Sequence, residues 1–391
     1  MLPEPGLAER LKRHGISRRG FLKFCAVAAS ALALPAAAAA LIARGLEQAR
    51  RQSVIWLSFQ ECTGCTESLT RSYAPSIERL ILDYLSLDYH HTLQAASGEA
   101  AEAARQAAMG KHAGRYLVVV DGSIPTGQGG AFSTIAGVSN LEMLKETVAD
   151  AAAVVAVGTC AAYGGLPAAA PNPTGALPVS QLVRDKPVVN VPGCPPLPEV
   201  MAGVLVHYLA FDCFPDLDEL GRPLAFYGDT LHDHCNRRGS FDRGLFAERF
   251  DDEGARLGWC LYKLGCKGPT THNACATLKW NGGTSFPIES GHPCLGCSEF
   301  GFWDAGSFYR ALPGAVPEAP AGGEEASAGG EALYADNCAY CHGPEPGVLR
   351  TAPEGIPDLL RAGRIGSHRF NLEENELRDL VDYLKARGGA K

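Results

Sequence analysis

The sequence predicts an α/β domain of the flavodoxin type, followed by an irregular cysteine-rich domain and a small all-α domain. Three observations carry this. Short apolar runs alternate with helical stretches as far as about residue 210. A chain builds a parallel sheet in that way, because each crossover needs a long return and a helix supplies it. Over residues 228–310 the period disappears, and Gly, Cys, Trp and Pro crowd together. Residues 313–330 are rich in Ala, Gly, Pro and Glu, the composition of a flexible linker, and they set residues 331–391 apart. A length of 391 residues accommodates these parts. The formal net charge of −8 gives no footing for nucleic acid.

The elements follow in order. Residues 1–48 read as an export signal with a short lead-in. Ser17-Arg18-Arg19-Gly20-Phe21-Leu22-Lys23 precedes an alanine-rich apolar stretch from Phe24 to Ile42, the pattern of a twin-arginine (Tat) signal. Pro35 and the alanines make a poor membrane span, and small residues at Ala36–Ala40 offer a cleavage site. Such a signal predicts a periplasmic protein. Residues 49–210 form the α/β domain. Strands are expected at Val54–Phe59, Leu82–Tyr89, Leu117–Val120, Val154–Val157 and Val188–Val191. Helices are expected at Ala100–Ala108, Asn140–Ala149 and Pro198–Tyr208. In open sheets of this type, ligands bind beyond the carboxyl ends of the strands. Cys62 with Cys65, Cys160, and Cys194 each stand just after such a strand, so they are expected to meet at one site.

Twelve of the fourteen cysteines fall into groups that read as ligands. The second group, in the domain of residues 211–312, is His232-Asp233-His234-Cys235 with Cys260 and Cys266. The third is Cys275 with Cys294-Leu295-Gly296-Cys297. Soft thiolates in threes and fours suit iron–sulfide cores. Taken singly, each group of four also suits zinc; taken together and in this order, they favour a series of redox centres. An exported chain permits disulfides, but one of this size has little need of them. Cys25 lies in the signal, and Cys213 fits no group and is expected to be a buried free thiol.

Residues 54–310 resemble the small subunit of a [NiFe] hydrogenase. The motifs that carry the resemblance are Val54-Ile55-Trp56-Leu57, Glu61-Cys62-Thr63-Gly64-Cys65-Thr66-Glu67, Gly158-Thr159-Cys160 and Pro192-Gly193-Cys194-Pro195. To these are added His232-Asp233-His234-Cys235 and Gly291-His292-Pro293-Cys294-Leu295-Gly296-Cys297. The resemblance implies a proximal [4Fe–4S] cluster on Cys62, Cys65, Cys160 and Cys194. It implies a medial [3Fe–4S] cluster on Cys275, Cys294 and Cys297, with Pro287 where a fourth ligand would have come. A distal [4Fe–4S] cluster falls to His232, Cys235, Cys260 and Cys266, with His234 the rival of His232. Glu61 and Glu67 flank the proximal ligands, where they would tune them or face a large subunit; Glu67 reads equally as a charge at a helix start. Oxygen-tolerant relatives carry extra cysteines at two places that here are Gly64 and Gly165, which implies an ordinary cubane and an oxygen-sensitive enzyme. The resemblance places no catalytic residue on this chain, since the Ni–Fe site belongs to a partner large subunit.

Many exported relatives end in a membrane-spanning helix, but no stretch after Tyr309 is apolar and long enough to span. Instead Cys338-Ala339-Tyr340-Cys341-His342 is a c-type haem attachment signature, and residues 331–391 resemble a mono-haem cytochrome c. Cys338 and Cys341 would bind the haem covalently and His342 would be an axial ligand. No methionine follows Met201, and His368 stands before an amphipathic helix at Glu374–Lys385, so His368 is taken as the second axial ligand. The combined expectation is an electron-transfer subunit that relays electrons between the Ni–Fe site and its own haem c, and from there to a downstream cytochrome or other carrier. One alternative is a non-catalytic redox-sensing or assembly adaptor with the same fold. Another is a quinone-reducing subunit of the complex I type, a class that lacks the His232–Cys297 region.

Overall fold

Five short runs of apolar residues form strands: β1 (Gln52–Ser58), β2 (Leu85–His90), β3 (Leu117–Asp121), β4 (Ala153–Val157) and β5 (Val188–Val191). The computed structural model describes residues 22, 25–26, 29–30, 35, 37–48, 51–73, 75–304, 308–312, 330, 332–334 and 374–387. The strands pair in parallel in the order β2-β1-β3-β4-β5, which is the flavodoxin order. The middle strands are apolar at almost every position because both faces are covered. Trp56, Val119 and Val155 pack on one side with Val200 and Val204. Ile55, Val118 and Val120 face the other side, with Met143 and Leu144. Each fully buried Val or Ile contributes about 1.5–3 kcal/mol to this sandwich.

Helices complete the layers. They are α1 (Ala38–Gln48), α2 (Gly64–Thr70), α3 (Gly98–Lys111), α4 (Asn140–Val148), α5 (Gly158–Tyr163) and α6 (Pro198–Phe211). Ser139 caps α4 by accepting the N–H of Glu142, while its hydroxyl donates to the Glu142 carboxylate at 3.0 Å. Pro198 opens α6 in the first turn and Asp212 ends it in the left-handed region. α6 is apolar nearly all round because it is buried against the sheet on one side and α1 on another.

The second strand begins at Leu85 rather than Leu82, because Leu80–Tyr84 close one wide π-turn that continues Ile77–Arg79. Cys213 is exposed rather than buried. It follows the left-handed Asp212, where the chain turns out of α6, so the helix end sets its environment and its own hydrophobicity does not.

The chain divides into two compact units, Met1–Pro317 and Glu318–Lys391. In the first, among the described residues, no strand follows Val191 beyond isolated bridges. Beyond α6, only short helical turns are found there among the described residues, such as Leu224–Tyr227, Arg238–Asp242 and Cys275–Leu278. In the second, α7 (Glu374–Arg387) buries Leu377, Leu380 and Leu384, and its Tyr383 ring meets that of Tyr334 at 5.7 Å. The twin-arginine segment, the Cys338–His342 motif and His368 lie outside the described residues. Among the described residues, no helix is long and apolar enough to cross a membrane.

Candidate metal centres

The carboxyl ends of β1, β4 and β5 bring the first cysteine group together. Cys62 and Cys65 enter α2, Cys160 lies in α5, and Cys194 follows β5. Burial pushes the Cys65 thiol well above its usual range, with further rises from the charges of Asp121, Cys160, Cys194 and Cys62. Burial and then Cys194 push Cys160 up to about 12. Burial, then Cys297 and Cys62, pushes Cys194 up to about 11. Thiols that raise one another in this way keep their protons unless a positive core displaces them.

Two glycines make room. Gly158 (φ +84°) lies so close to Cys65 that any Cβ there would overlap the sulfur. At Gly165 (φ +59°) a Cβ would stand 2.6 Å from the Cys160 sulfur. Below the group lies a buried polar cluster. Thr66 Oγ1 donates to Asp121 at 3.1 Å and lies 3.2 Å from His90 Nε2, and the His90 ring stacks on Trp56 at 5.3 Å. Burial lowers His90 to about 4 and raises Asp121 to about 6. Glu61 is pushed up to about 7 by burial and then by Asp121. Glu67, in contrast, is exposed and pairs with Arg71 at 2.6 Å, so it is a solvated helix charge.

Cys275, Cys294 and Cys297 line a cavity of about 180 Å³, together with Pro287 and Trp280. Burial is the main cause of the raised pKa in all three, with Cys275 well above the usual thiol range and Cys294 at about 12. Cys194 of the first group also reaches this cavity, and the other three sulfurs with one proline fit a cluster with three protein ligands.

Cys235, Cys260 and Cys266 form the remaining group, each raised by burial first. Spacing alone leaves two histidines for this group, and their surroundings separate them. His232 Nε2 is buried without a hydrogen-bond partner, and its ring stands edge-on to Phe241 at 4.6 Å. Burial lowers its pKa, favouring the neutral imidazole that a metal requires. His234 is half exposed, and its Nε2 is taken by Asp229 at 2.9 Å. The second group therefore has a nitrogen ready for a metal at His232.

The three groups are joined. Cys194, in the first group, borders the cavity lined by the third. The N–H of Cys294, in the third, donates to the Cys266 sulfur in the second at 3.4 Å. Thr159 spans the first junction: its hydroxyl donates to the Cys297 carbonyl at 2.5 Å and accepts the Gly193 N–H at 2.9 Å. Among the described residues, no three His, Cys, Asp or Glu converge to hold a single ion. Each group nevertheless lies within mutual electrostatic reach, a spacing that suits a core of several atoms more than one tetrahedral zinc.

Sequence reading missed Thr159, Trp280, Asn273 and the Asp121–Thr66–His90 cluster. One local signal exists, because the N–H two residues after a ligand bonds back to its sulfur at Cys235, Cys266 and Cys294, each at 3.4 Å.

Comparisons with known proteins agree with this arrangement. Residues 227–310 match the family of C-terminal regions of the NiFe/NiFeSe hydrogenase small subunit. Residues 62–208 match the family of the 20 Kd subunit of NADH ubiquinone oxidoreductase. The uptake hydrogenase small subunit of Azotobacter vinelandii is 51% identical over 302 residues, which are 77% of this chain and 84% of that protein. The Hydrogenase-1 small chain of Citrobacter freundii is 52% identical over 301 residues, 77% of this chain and 80% of that one. Among solved structures, the [NiFeSe]-hydrogenase of Dm. baculatum aligns with a TM-score of 0.63 at 38% identity, covering 68% of this chain and 100% of that one. The actinobacterial-type NiFe-hydrogenase of Ralstonia eutropha H16 aligns with a TM-score of 0.63 at 26% identity, over 83% of this chain and 93% of that one.

Proposed function

Because the chain belongs to the small subunits of NiFe hydrogenases, which carry iron–sulfur clusters and pair with a catalytic large subunit, we propose that it relays electrons through three clusters to a haem on its own C-terminal unit. In this reading Cys62, Cys65, Cys160 and Cys194 hold the proximal [4Fe–4S] cluster. Cys275, Cys294 and Cys297 hold the medial [3Fe–4S], and His232, Cys235, Cys260 and Cys266 the distal [4Fe–4S]. Bound there, the clusters supply one-electron redox chemistry. The chain's part is to fix their order, exclude water and donate hydrogen bonds to their sulfurs. The observation that carries this reading is the series of sulfur groups, joined by the Thr159 hydroxyl on the Cys297 carbonyl and by the Cys294 N–H on the Cys266 sulfur. The match at residues 227–310 favours it over the quinone-reducing alternative, which lacks that region.

The haem c would be bound through Cys338 and Cys341, with His342 and His368 as axial ligands. Supporting this is the attachment motif Cys338-Ala339-Tyr340-Cys341-His342 itself. Export by the Tat route to the periplasm and hand-over to a further cytochrome belong to the same reading. Relatives named uptake hydrogenases favour H2 oxidation as the direction. Gly64 and Gly165 favour an ordinary proximal cubane and oxygen sensitivity.

The test uses the complex with its large subunit. Hydrogen should reduce the haem promptly, read from its visible absorption bands, and His232→Ala should slow this while leaving proximal reduction intact. A haem that stays oxidised while hydrogen reduces the clusters would remove it from the relay. No hydrogen-dependent change at any centre would favour the adaptor alternative.

A further inference from the structure

We propose that Arg237 raises the reduction potential of the distal centre, as a buried cation whose counter-charge is the cluster itself. The inference rests on the distal assignment given above and adds to it the residue that tunes the last cluster of the relay.

Three arginines are buried among the described residues: Arg105, Arg222 and Arg237. Arg105 pairs with Glu102 at 2.9 Å and with Glu146 at 2.8 Å. Arg222 pairs with Asp218 at 2.7 Å and with Glu299 at 3.2 Å. Among the same residues Arg237 meets no carboxylate, and its side chain ends on two carbonyls. Its Nε donates to Ile288 at 3.0 Å and its Nη1 to Trp259 at 2.8 Å.

A guanidinium keeps its proton throughout the pH range of proteins. Burying one is strongly unfavourable unless a negative charge lies close to it. Carbonyl oxygens satisfy its N–H groups but carry no net charge, so the compensation must come from elsewhere.

The positions of the two carbonyls identify the source. Trp259 directly precedes Cys260, so the guanidinium lies against a distal ligand segment. The backbone N–H of Arg237 donates to the sulfur of a second distal ligand, Cys235, at 3.4 Å. Ile288 lines the cavity of the medial sulfurs, so the side chain bridges the distal ligands and the medial wall. Burial raises the thiols of Cys235, Cys260 and Cys266, and the Arg237 charge opposes that rise at each. Arg238, the next residue, offers a contrast. It is exposed and pairs with Asp242 at 2.9 Å, where water and the carboxylate screen it.

The consequence is electrostatic. Three thiolates and a neutral imidazole give a four-iron core net negative charge, and reduction adds one more. One electron enters from the medial side and one leaves towards the acceptor, with no bond made or broken. A fixed positive charge shielded from water stabilises the more negative form. Arg237 therefore raises the potential and draws the electron outward from the medial centre.

The experiment is a redox titration, in the complete heterodimer, of the reduced four-iron EPR signal that shows imidazole nitrogen coupling. Arg237→Gln keeps an amide donor and removes the charge. Its distal midpoint should fall by an amount equal to roughly a tenfold change in the reduction equilibrium, about 59 mV for one electron. Arg237→Lys keeps the charge without the two-pronged hold on the carbonyls, and should titrate close to the parent. The proximal centre should not move in either variant. A Gln variant that titrates with the parent, or a Lys variant that falls as far as Gln, overturns the proposal. Should Gln lose the centre, Lys decides: a retained centre at the parent potential supports the charge. Loss in both variants would make the side chain a latch between two loops and overturn the proposal. A parent with no imidazole-coupled four-iron signal would overturn the distal assignment and this proposal with it.

Discussion

Thr159 is the side chain by which the proximal and medial regions hold each other, and its hydroxyl can be removed almost without change of volume. It is 1% exposed, donates to the Cys297 carbonyl at 2.5 Å and accepts the Gly193 N–H at 2.9 Å. Thr159→Val puts a methyl group in the hydroxyl's place. The buried Gly193 N–H then loses its acceptor, which costs about 1–3 kcal/mol, and the bond to Cys297 adds about 1 kcal/mol more. The expected penalty is therefore about 2–4 kcal/mol. Thr159→Ser keeps both bonds and removes one methyl, worth about 0.8 kcal/mol. A cluster-bearing heterodimer does not unfold reversibly, so the assay is the rate at which cluster absorbance is lost in denaturant. If both bonds break in the limiting step, about 2 kcal/mol speeds that loss about 30-fold. The Val variant should decay that much faster, and the Ser variant close to the parent. A Val variant as persistent as the Ser variant would refute the view that this hydroxyl joins the two regions.

Gly165→Ala should strip the proximal cluster selectively, because the left-handed backbone and a Cβ 2.6 Å from the Cys160 sulfur leave no room. Gly64→Ala, whose Cβ would stand 3.2 Å from the Cys62 sulfur, should keep more of its iron; equal iron loss in both would count against the argument. His90 should make the protein acid-sensitive through a definite window. Burial holds its folded pKa at about 4, against 6.5 for the free side chain, so between those values the unfolded chain takes up a proton that the folded chain refuses. Stability therefore falls as pH drops from 6.5 towards 4 and gains no further slope below that. In His90→Gln the denaturation rate should change less over this window, and parallel pH profiles for variant and parent would refute the assignment.

The five strands were legible because they are short, rich in apolar and β-branched residues, and separated by helical stretches. The start of β2 was not, since Leu80–Tyr84 have the same apolar content as a strand yet close a π-turn. Cysteine groups were legible because ligand spacing is local or falls at strand ends. The Thr159 contacts were hidden, because they depend on how the loops at Gly193 and Cys297 come together and not on any spacing pattern. Cys213 misled for a related reason. Cysteine is on average a buried residue, but the helix end at Asp212 decides where this one goes. Between His232 and His234, only the structure shows which nitrogen lacks a partner.

The same hydrogen bonds that link the centres also bear on how this half of the chain folds. Beyond α6, order rests on turns, on the main core that Tyr227, Leu231, Leu261 and Ile288 join, and on a small cluster of Phe246, Cys260 and Tyr262. Several of those turns end on sulfur: Arg237, Gly268 and Gly296 donate to the ligand two residues before them, and Cys294 donates to Cys266. A buried thiol is a weak acceptor, and these thiols resist losing their protons. Metal binding replaces the proton and leaves a thiolate, whose charge makes each N–H···S bond stronger. Loading one centre therefore tightens the turns that carry it. Because Cys266 accepts from Cys294, loading the second group also tightens the approach to the third. Assembly of those two centres should accordingly be cooperative, with the electron path and the folding of residues 212–312 built from the same set of bonds.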